Sequence, residues 1–299
     1  MKSGFVGIVG RPNVGKSTLL NCILGEKIAI TTDKPQTTRN VIRGIYTNHS
    51  AGGECTQIVF IDTPGIHKPR NKLGGAMTEM AINTFREVDV IIFIVDAGPN
   101  SGPGDKYILG MLADVQTPKI LVINKIDLIG PDEFRGIYEE YEKLGVFEHI
   151  FGISAIEGKN VDALVETVEG SMSEGPMYFP EDMVTDHPQR FIASEIIREK
   201  VLMYLDEEVP HGVAVEIESF NELPNLTKIG AVVYCEKKSH KGIIIGKEGK
   251  KLKGIGKAAR IEIEALLGVK VFLEIWVKVK ENWRDSDFAL SSFGYGKPL

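Results

Sequence analysis

The octapeptide Gly10-Arg11-Pro12-Asn13-Val14-Gly15-Lys16-Ser17 has the spacing G-x-x-x-x-G-K-S and follows an apolar run, Phe5-Val6-Gly7-Ile8-Val9. That run reads as a short buried strand. Beyond the loop, Ser17-Thr18-Leu19-Leu20-Asn21-Cys22-Ile23-Leu24 places leucines at helical spacing. Strand, glycine loop and helix in this order aim successive backbone N–H groups and a helix N-terminus at one point, which suits a polyphosphate. Gly10, Arg11, Pro12, Asn13, Val14, Gly15, Lys16, Ser17 and Thr18 are therefore candidate nucleotide-binding residues. Lys16 would neutralise the β- and γ-phosphates, and the Ser17 hydroxyl would hold Mg²⁺. A glycine-rich turn arising by chance is the competing explanation, and the flanking strand and helix count against it.

Base choice is written further along. Asn124-Lys125-Ile126-Asp127 follows the apolar strand Ile120-Leu121-Val122-Ile123, at the C-terminal edge of a parallel sheet, where ligands bind in open α/β folds. A carboxylate at Asp127 accepts two parallel hydrogen bonds from guanine N1–H and its 2-amino group. Adenine offers neither, and would leave Asp127 unpaired. Lys125 can lay its stem over the base, and Asn124 can tie this loop to the phosphate loop. Ser154-Ala155, after a strand at His149 to Ile153, is expected to offer a backbone N–H to the guanine carbonyl.

Between these segments lie candidates for sensing the γ-phosphate. Asp62-Thr63-Pro64-Gly65 follows the strand Gln57-Ile58-Val59-Phe60-Ile61. Asp62 would meet Mg²⁺ through water, and the Gly65 N–H would reach the γ-phosphate only in the triphosphate state. In the polar stretch Pro35-Gln36-Thr37-Thr38-Arg39, Thr38 is the choice for a second hydroxyl on Mg²⁺, with Thr37 the alternative. Lys16, Thr38 and Gly65 form the candidate catalytic set, and Ser17, Thr38 and Asp62 the metal set.

Net charge is −6 over 299 residues, but it is unevenly spread. From Lys228 to Arg260 ten lysines and arginines face only Glu236 and Glu248, so this segment is +8 and the remainder −14. Such polarity in an acidic chain is an electrostatic footprint for a polyanion, or else a solvated helix face. Inside it, Lys241-Gly242-Ile243-Ile244-Ile245-Gly246-Lys247-Glu248-Gly249-Lys250 contains G-x-x-G between an apolar run and a lysine-rich helix. Glycines there let the backbone press against a single strand, as in KH domains. Candidate RNA-binding residues are Lys241, Gly242, Ile245, Gly246, Lys247, Glu248, Gly249, Lys250 and Lys253. Alternation at Val213 to Ile217, Ile229 to Tyr234 and Val269 to Val279 predicts three strands. Helices at Phe191 to Tyr204 and Lys250 to Leu267 are two of the three in the expected order α-β-β-α-α-β, the third being given no bounds.

With these motifs the chain resembles the translation-factor-like GTPases, and within them the Era family of bacterial ribosome-assembly GTPases. Gly10 to Ser17, Lys34 to Arg39, Asp62 to Gly65 and Asn124 to Asp127 carry the likeness, together with the C-terminal third. The resemblance implies a P-loop α/β GTPase domain with a mostly parallel sheet, followed by an α+β type II KH domain. It implies GTP hydrolysis coupled to the 3′ region of 16S ribosomal RNA, in assembly of the 30S subunit, with GTP, GDP and that RNA as partners. Peripheral association with the inner face of the cell membrane is implied in the same way; a monomer is expected, though the residues themselves do not fix the oligomeric state. One part departs from Ras-type GTPases. The water-orienting glutamine after the glycine equivalent to Gly65 is replaced by Ile66, which has no hydrogen-bonding group. His67 is a weak substitute, so slow intrinsic turnover, stimulated by RNA, is expected. Related GTPases with asparagine at Asn13 hold K⁺ beside the phosphates, which would supply electrostatic stabilisation. Alternatively Asn13 is a turn residue tolerant of left-handed backbone.

Forty-three per cent hydrophobic residues suffice for two ordinary cores. Neither a membrane-span pattern nor a signal-peptide pattern is visible, so a cytoplasmic enzyme is expected. Cys22, Cys55 and Cys235 lack metal-ligand spacing and read as reduced thiols. Residues 1–170 are assigned to the GTP-binding domain, 171–189 to an extended linker stiffened by Pro176, Pro180 and Pro188, and 190–299 to the KH domain and tail. A Gly52-Gly53 hairpin would make one strand antiparallel. Trp283 is read as a packing residue rather than an RNA stacker. Two functions compete: an enzyme whose hydrolysis times release from pre-ribosomal RNA, and an RNA-binding module with GTP as a static ordering ligand. A third, a GTPase acting on transfer RNA, would not need the KH segment.

Overall fold

The computed structural model describes every residue except 35, 50–53, 99–101, 207–208 and 296–299; the expected Gly52-Gly53 turn lies outside the described residues. The chain divides into two compact units, the first comprising Met1–Ala29, Thr38–Pro69 and Met77–Asp186, the second Ile30–Thr37, Arg70–Ala76 and His187–Leu299. A division by sequence places residues 30–37 and 70–76 with the N-terminal domain because they lie between its motifs. Packing follows contacts rather than chain order, and both short segments cluster with the second unit.

The first unit is an open α/β sheet. Its elements are β1 (Lys2–Gly10), α1 (Lys16–Leu24), β2 (Ile42–His49), β3 (Cys55–Asp62) and α2 (Lys72–Thr84), the first turn of which falls in the second unit. They continue with β4 (Val90–Asp96), α3 (Pro103–Leu112), β5 (Lys119–Asn124), α4 (Pro131–Glu142), β6 (His149–Gly152) and α5 (Val161–Ser171). Strand order is β2-β3-β1-β4-β5-β6. Among the described residues of this sheet, only β2 runs antiparallel, against β3. The central strands are nearly continuous apolar runs because both faces are covered, and β4 from Val90 to Val95 is buried throughout. Val9, Val59, Phe93 and Leu121 pack with Phe85, Leu112 and Tyr141 in one of its core clusters.

The segment expected as a linker is tied down as far as Asp186. Ser3 N donates to Ser173 O at 3.1 Å and Gly175 N to Met1 O at 3.3 Å. Gln57, with no exposed surface, accepts from Tyr178 N (2.8 Å) and Phe179 N (3.0 Å) and donates to Phe179 O (2.9 Å). Ile45 N then donates to Val184 O at 2.9 Å, and Arg43 pairs with Asp186 at 2.8 Å. β2 is an edge strand whose outward N–H groups need acceptors, and this strap supplies one. Its stiffness comes from hydrogen bonds as well as prolines.

The second unit contains α6 (Gln189–Met203), β7 (Ala214–Leu223), β8 (Leu226–Cys235), α7 (Lys238–Ile245), α8 (Lys250–Leu267), β9 (Lys270–Val279) and α9 (Asp287–Ser292). The sheet order is β7-β8-β9, antiparallel then parallel, which realises α-β-β-α-α-β. Ile196, Ile197, Ile229, Ala231, Val233, Ile255, Ala259 and Val277 form the core. Helix α6 is buried nearly all round, its charged residues Glu195, Arg198, Glu199 and Lys200 included. Buried charges persist only when paired. Arg198 Nε donates to Glu195 at 2.8 Å, and Lys200 Nζ lies 2.6 Å from Glu199 and also meets Glu262. The same group of charges holds the main chain of the short segment that belongs to this unit. Glu199 accepts from Thr31 N at 2.9 Å, and Arg198 donates to Thr37 O. Trp283 is fully buried and donates from its indole N–H to Gly212 O at 2.9 Å.

Candidate nucleotide site and nucleic-acid groove

β1 ends at Gly10 and α1 begins at Lys16, so the phosphate loop spans the gap at the C-terminal edge of the sheet. Two residues hold its curvature, Asn13 at φ 65° and Gly15 at φ 101°. A Cβ at Gly15 would stand 2.2 Å from Asn124 Nδ2. That close approach lets Asn124 Nδ2 donate to Val14 O at 2.8 Å, so the Asn124 to Asp127 loop is tied to the phosphate loop. Lys125 Nζ adds a second tie to Asn13 O at 2.8 Å. Asn13 thus occupies the left-handed turn conformation.

The metal-set residues converge. Ser17 Oγ donates to Asp62 Oδ2 at 2.6 Å and lies 2.8 Å from Thr38 Oγ1, which is 3.4 Å from the same carboxylate oxygen. The Thr37 hydroxyl is engaged elsewhere, 2.6 Å from Thr32 Oγ1 and donating to Lys34 O at 2.7 Å. Between the two threonines, it is Thr38 that stands at Ser17 and Asp62. Asp62 Oδ1 is buried and makes no hydrogen bond. Hard oxygen donors on two hydroxyls and a carboxylate with a spare oxygen fit Mg²⁺. Burial pushes the Asp62 carboxyl up to about 6, against the attraction of Lys16 and hydrogen bonds from Ser17 and Thr38. Burial likewise pushes Lys16 down to about 8, against the attraction of Asp62. The Lys16 ammonium donates to Arg11 O at 2.8 Å, on the rim of the loop.

Thr63 Oγ1 donates to Ile8 O at 2.8 Å and anchors the turn after β3. Pro64 and Gly65 are buried beside the phosphate loop, and a Cβ on Gly65 would lie 2.7 Å from Pro12 N. Ile66 N donates to Gly10 O at 3.0 Å, while the Ile66 side chain is fully buried in the core. The missing glutamine therefore has a physical reason: this position is a packing residue. His67 is half-buried.

Asp127 is exposed on a one-turn 3₁₀ helix, Ile126–Leu128, entered through Lys125 at φ 67°. The backbone N–H groups of Ser154 and Ala155, expected to face guanine, are engaged within the protein. Ser154 N donates to Lys159 O at 3.2 Å, and Ala155 N to Asn124 Oδ1 at 3.0 Å. The first closes the loop and the second fixes Asn124, so a guanine carbonyl at Ala155 N would compete with Asn124. Sequence reasoning gives Arg11 no partner. Arg11 Nε pairs with Asp105 at 2.7 Å and its NH2 group with Asp96 at 2.9 Å, bracing the phosphate loop from α3 and β4. The one local signal is Gly102-Pro103-Gly104-Asp105, a helix entry whose acidic residue is buried. A Cβ on Gly104 would lie 2.5 Å from Arg11 Cδ.

In the second unit, α7 and α8 flank the G-x-x-G loop. Gly246 at φ 72°, ψ 175° has a conformation open to glycine alone, and Gly249 at φ 71° is left-handed with nothing within 4 Å of a built Cβ. Lys241, Gly242, Lys247, Glu248 and Lys253 are exposed, as is Lys250, while Ile245, Gly246 and Gly249 are partly so. Exposed Lys250 lies 3.0 Å from Glu248. Behind the loop runs a groove of ≈ 500 Å³ between α8 and β9, lined by Gly249, Leu252, Lys253, Gly256, Lys257, Arg260, Leu273 and Ile275. Among these, sequence reasoning names Gly249 and Lys253 as RNA contacts and includes Lys257 and Arg260 in its basic footprint. It misses Leu273 and Ile275 because nothing in an alternating strand says which face closes a groove.

Comparison with known proteins agrees with this arrangement. A family model described as 50S ribosome-binding GTPase matches residues 5–125, and one described as KH domain matches residues 208–284. GTPase Era of Alkaliphilus oremlandii (strain OhILAs) is 57% identical over 98% of this chain and 99% of that protein. GTPase Era of Clostridioides difficile (strain 630) is 55% identical over 98% of each. The crystal structure of a point variant of Aquifex aeolicus Era bound to GDP.AlF4⁻ superposes with a TM-score of 0.94 at 43% identity, covering 99% of this chain and 100% of that one. A crystal structure of Era in complex with MgGDPNP and nucleotides 1506–1542 of 16S ribosomal RNA also gives 0.94, at 44% identity and 99% coverage of both chains. A phosphate loop tied to the Asn124 to Asp127 loop, a KH fold, and relatives this close over the full length lead to one assignment: the chain belongs to the Era family of GTPases.

Proposed function

We propose that this GTPase binds Mg²⁺·GTP in the first unit and the 3′ region of 16S ribosomal RNA in the second, and that it acts in maturation of the 30S subunit. The observation that carries the nucleotide half is the convergence of Ser17, Thr38 and the unsatisfied Asp62 carboxylate beside buried Lys16. Ser17, Thr38 and Asp62 would hold the metal, the last through water, which when bound neutralises charge on the β- and γ-phosphates. Lys16 moves from Arg11 O to the phosphates, the Gly10 to Ser17 amides cradle them, and Asp127 reads guanine. Pro12 packed on Gly65 brings the turn after β3 against the phosphate loop, so that a γ-phosphate is sensed by the Gly65 N–H. Ile66 cannot do the work of the absent glutamine, which suits slow intrinsic hydrolysis that RNA accelerates.

The groove beside Gly246 to Gly249 supports the RNA half. Its floor is apolar and its rim carries Lys253, Lys257 and Arg260, a combination suited to splayed bases and a phosphate backbone. Timed release is separated from static binding by a GTPase assay with and without 16S 3′ RNA. Strong stimulation supports the timed enzyme, and a flat slow rate the RNA-binding module. A K⁺ ion at Asn13 is the second assignment for charge stabilisation: Na⁺ in place of K⁺ should slow hydrolysis, and Asn13→Ala should remove the difference. Equal rates in the two salts with the parent protein would end that idea. We place the protein in the cytoplasm as a monomer with peripheral attachment to the inner membrane face. Among the described residues no helix is long and apolar enough to cross a membrane.

A further inference from the structure

Strand β9 is one of the two edges of the three-stranded sheet, and its two faces differ in use. Val271, Leu273, Ile275 and Val277 turn inward to the core, and Leu273 and Ile275 also floor the groove. The alternate positions Phe272, Glu274, Trp276 and Lys278 occupy the opposite face. Phe272 is 52% and Trp276 46% exposed, unusual for two large aromatics on one strand. Trp276 leans over Gly230 of β8, where a Cβ would lie 3.4 Å from its Cζ3 atom, so the strand below leaves room for a flat ring. By strand geometry the two rings stand about 13 Å apart, with Glu274 between them. Lys228 is the register partner of Phe272, and Lys270 and Lys278 sit near the two ends of β9.

We propose that this outer face is a second single-stranded RNA subsite, continuous with the groove around the edge of β9. The proposal rests on the groove reading above. A KH loop clamps about four nucleotides, so a longer strand must leave the groove. β9 is the wall it leaves over. Beyond that wall, bases stack on Phe272 and Trp276, which is how sheet-face RNA binders gain affinity without strict sequence choice. Lys228 faces the backbone; Lys270 lies 3.8 Å from Glu264 and Lys278 is paired with Glu218 at 2.7 Å, so both contribute less. Glu274 cannot meet a phosphate, but its carboxylate accepts from the exocyclic amino group of cytosine or adenine, so the base between the rings is selected against uracil.

The chain has two tryptophans, and the other, Trp283, is fully buried, so emission quenching reports on Trp276. The full-length protein is titrated with single strands of about four and about twelve nucleotides drawn from the 16S 3′ region, the shorter matched to the reach of a KH loop. Both should bind, and only the longer should quench. Trp276→Leu should abolish the quench and weaken the longer strand about tenfold, leaving the short one unchanged, while Trp276→Phe should keep most of the affinity. Glu274→Gln should reduce discrimination against uracil at the middle base. Binding of both strands without quenching, or equal loss of both in Trp276→Leu, would overturn the subsite and leave the groove standing. Failure of both strands to bind the parent protein would overturn the groove and the subsite together. A face reserved for a protein partner would give the first of these results.

Discussion

The phosphate loop and the G-x-x-G loop both expose backbone at glycines of positive φ, in opposite surroundings. Around the phosphate loop, Lys16, Ser17, Thr38 and Asp62 are all less than 10% exposed, and each is held by a named partner. Gly15 has no space for a Cβ because Asn124 fills it. At the G-x-x-G loop, Lys247 and Glu248 stand in solvent and Gly249 faces open space. An enclosed site fixes geometry and perturbs proton affinities, which chemistry requires. An open site offers charge and access, which suits a strand that must be captured and released. One should fail abruptly under substitution and the other gradually.

The largest effect is expected at the base reader. Asp127→Asn should weaken GTP at least about 100-fold and move preference toward xanthosine triphosphate, whose 2-oxo group accepts the amide N–H. Competition binding with the two nucleotides measures this, and unchanged GTP affinity would remove Asp127 from the role.

Glycine substitutions probe the contrast directly. Gly15→Ala places a Cβ 2.2 Å from Asn124 Nδ2 at φ 101°, so nucleotide binding should fall by about two orders of magnitude or more. Gly249→Ala has free space and should cost only about 1–2 kcal/mol for left-handed backbone, read as a small drop in melting temperature. Equal losses at the two positions would break the contrast.

The pH response follows from burial. Asp62, raised to about 6, must ionise to serve the metal, so affinity for Mg²⁺·GTP should fall up to about tenfold per pH unit below 6. Lys16, lowered to about 8, loses its charge above that pH in the free protein, so affinity should also fall on the alkaline side. Stability of the free protein runs the other way. The raised Asp62 value makes the folded state bind more protons between about 4 and 6, so stability falls as pH rises through that window. The lowered Lys16 value makes the unfolded state bind more protons between about 8 and 10.5, so stability rises there. Asp62→Asn should flatten the acidic limb of both profiles in nucleotide titrations and thermal melts.

The smallest change is expected in the open loop. Lys247→Asp should weaken RNA about tenfold and lower the salt slope by about one, with basal GTP binding unchanged. Full RNA affinity in this variant would mean the loop is not the RNA contact.

The candidate nucleotide site could be proposed from the sequence because its motifs are local. Gly10 to Ser17, Asp62 to Gly65 and Asn124 to Asp127 are short runs in which backbone conformation and side-chain chemistry are specified together. Much of the α-β-β-α-α-β order was readable for a similar reason, since alternation and helical spacing report which face each element buries; α7, Lys238–Ile245, read only as an apolar run. Tertiary structure alone decided what depends on distant partners. Ser154 and Ala155 engage their N–H groups with Lys159 and Asn124, Arg11 finds Asp105, and Ile66 proves to be core. Gln57 turns an expected linker into a strap, and Arg198 and Glu199 hold the main chain at Thr37 and Thr31 from a helix more than 160 positions away. A sequence states what each residue offers, but whether a buried polar group has a partner is settled only when chain segments far apart are brought to within about 3 Å, because a hydrogen bond has no reach beyond that.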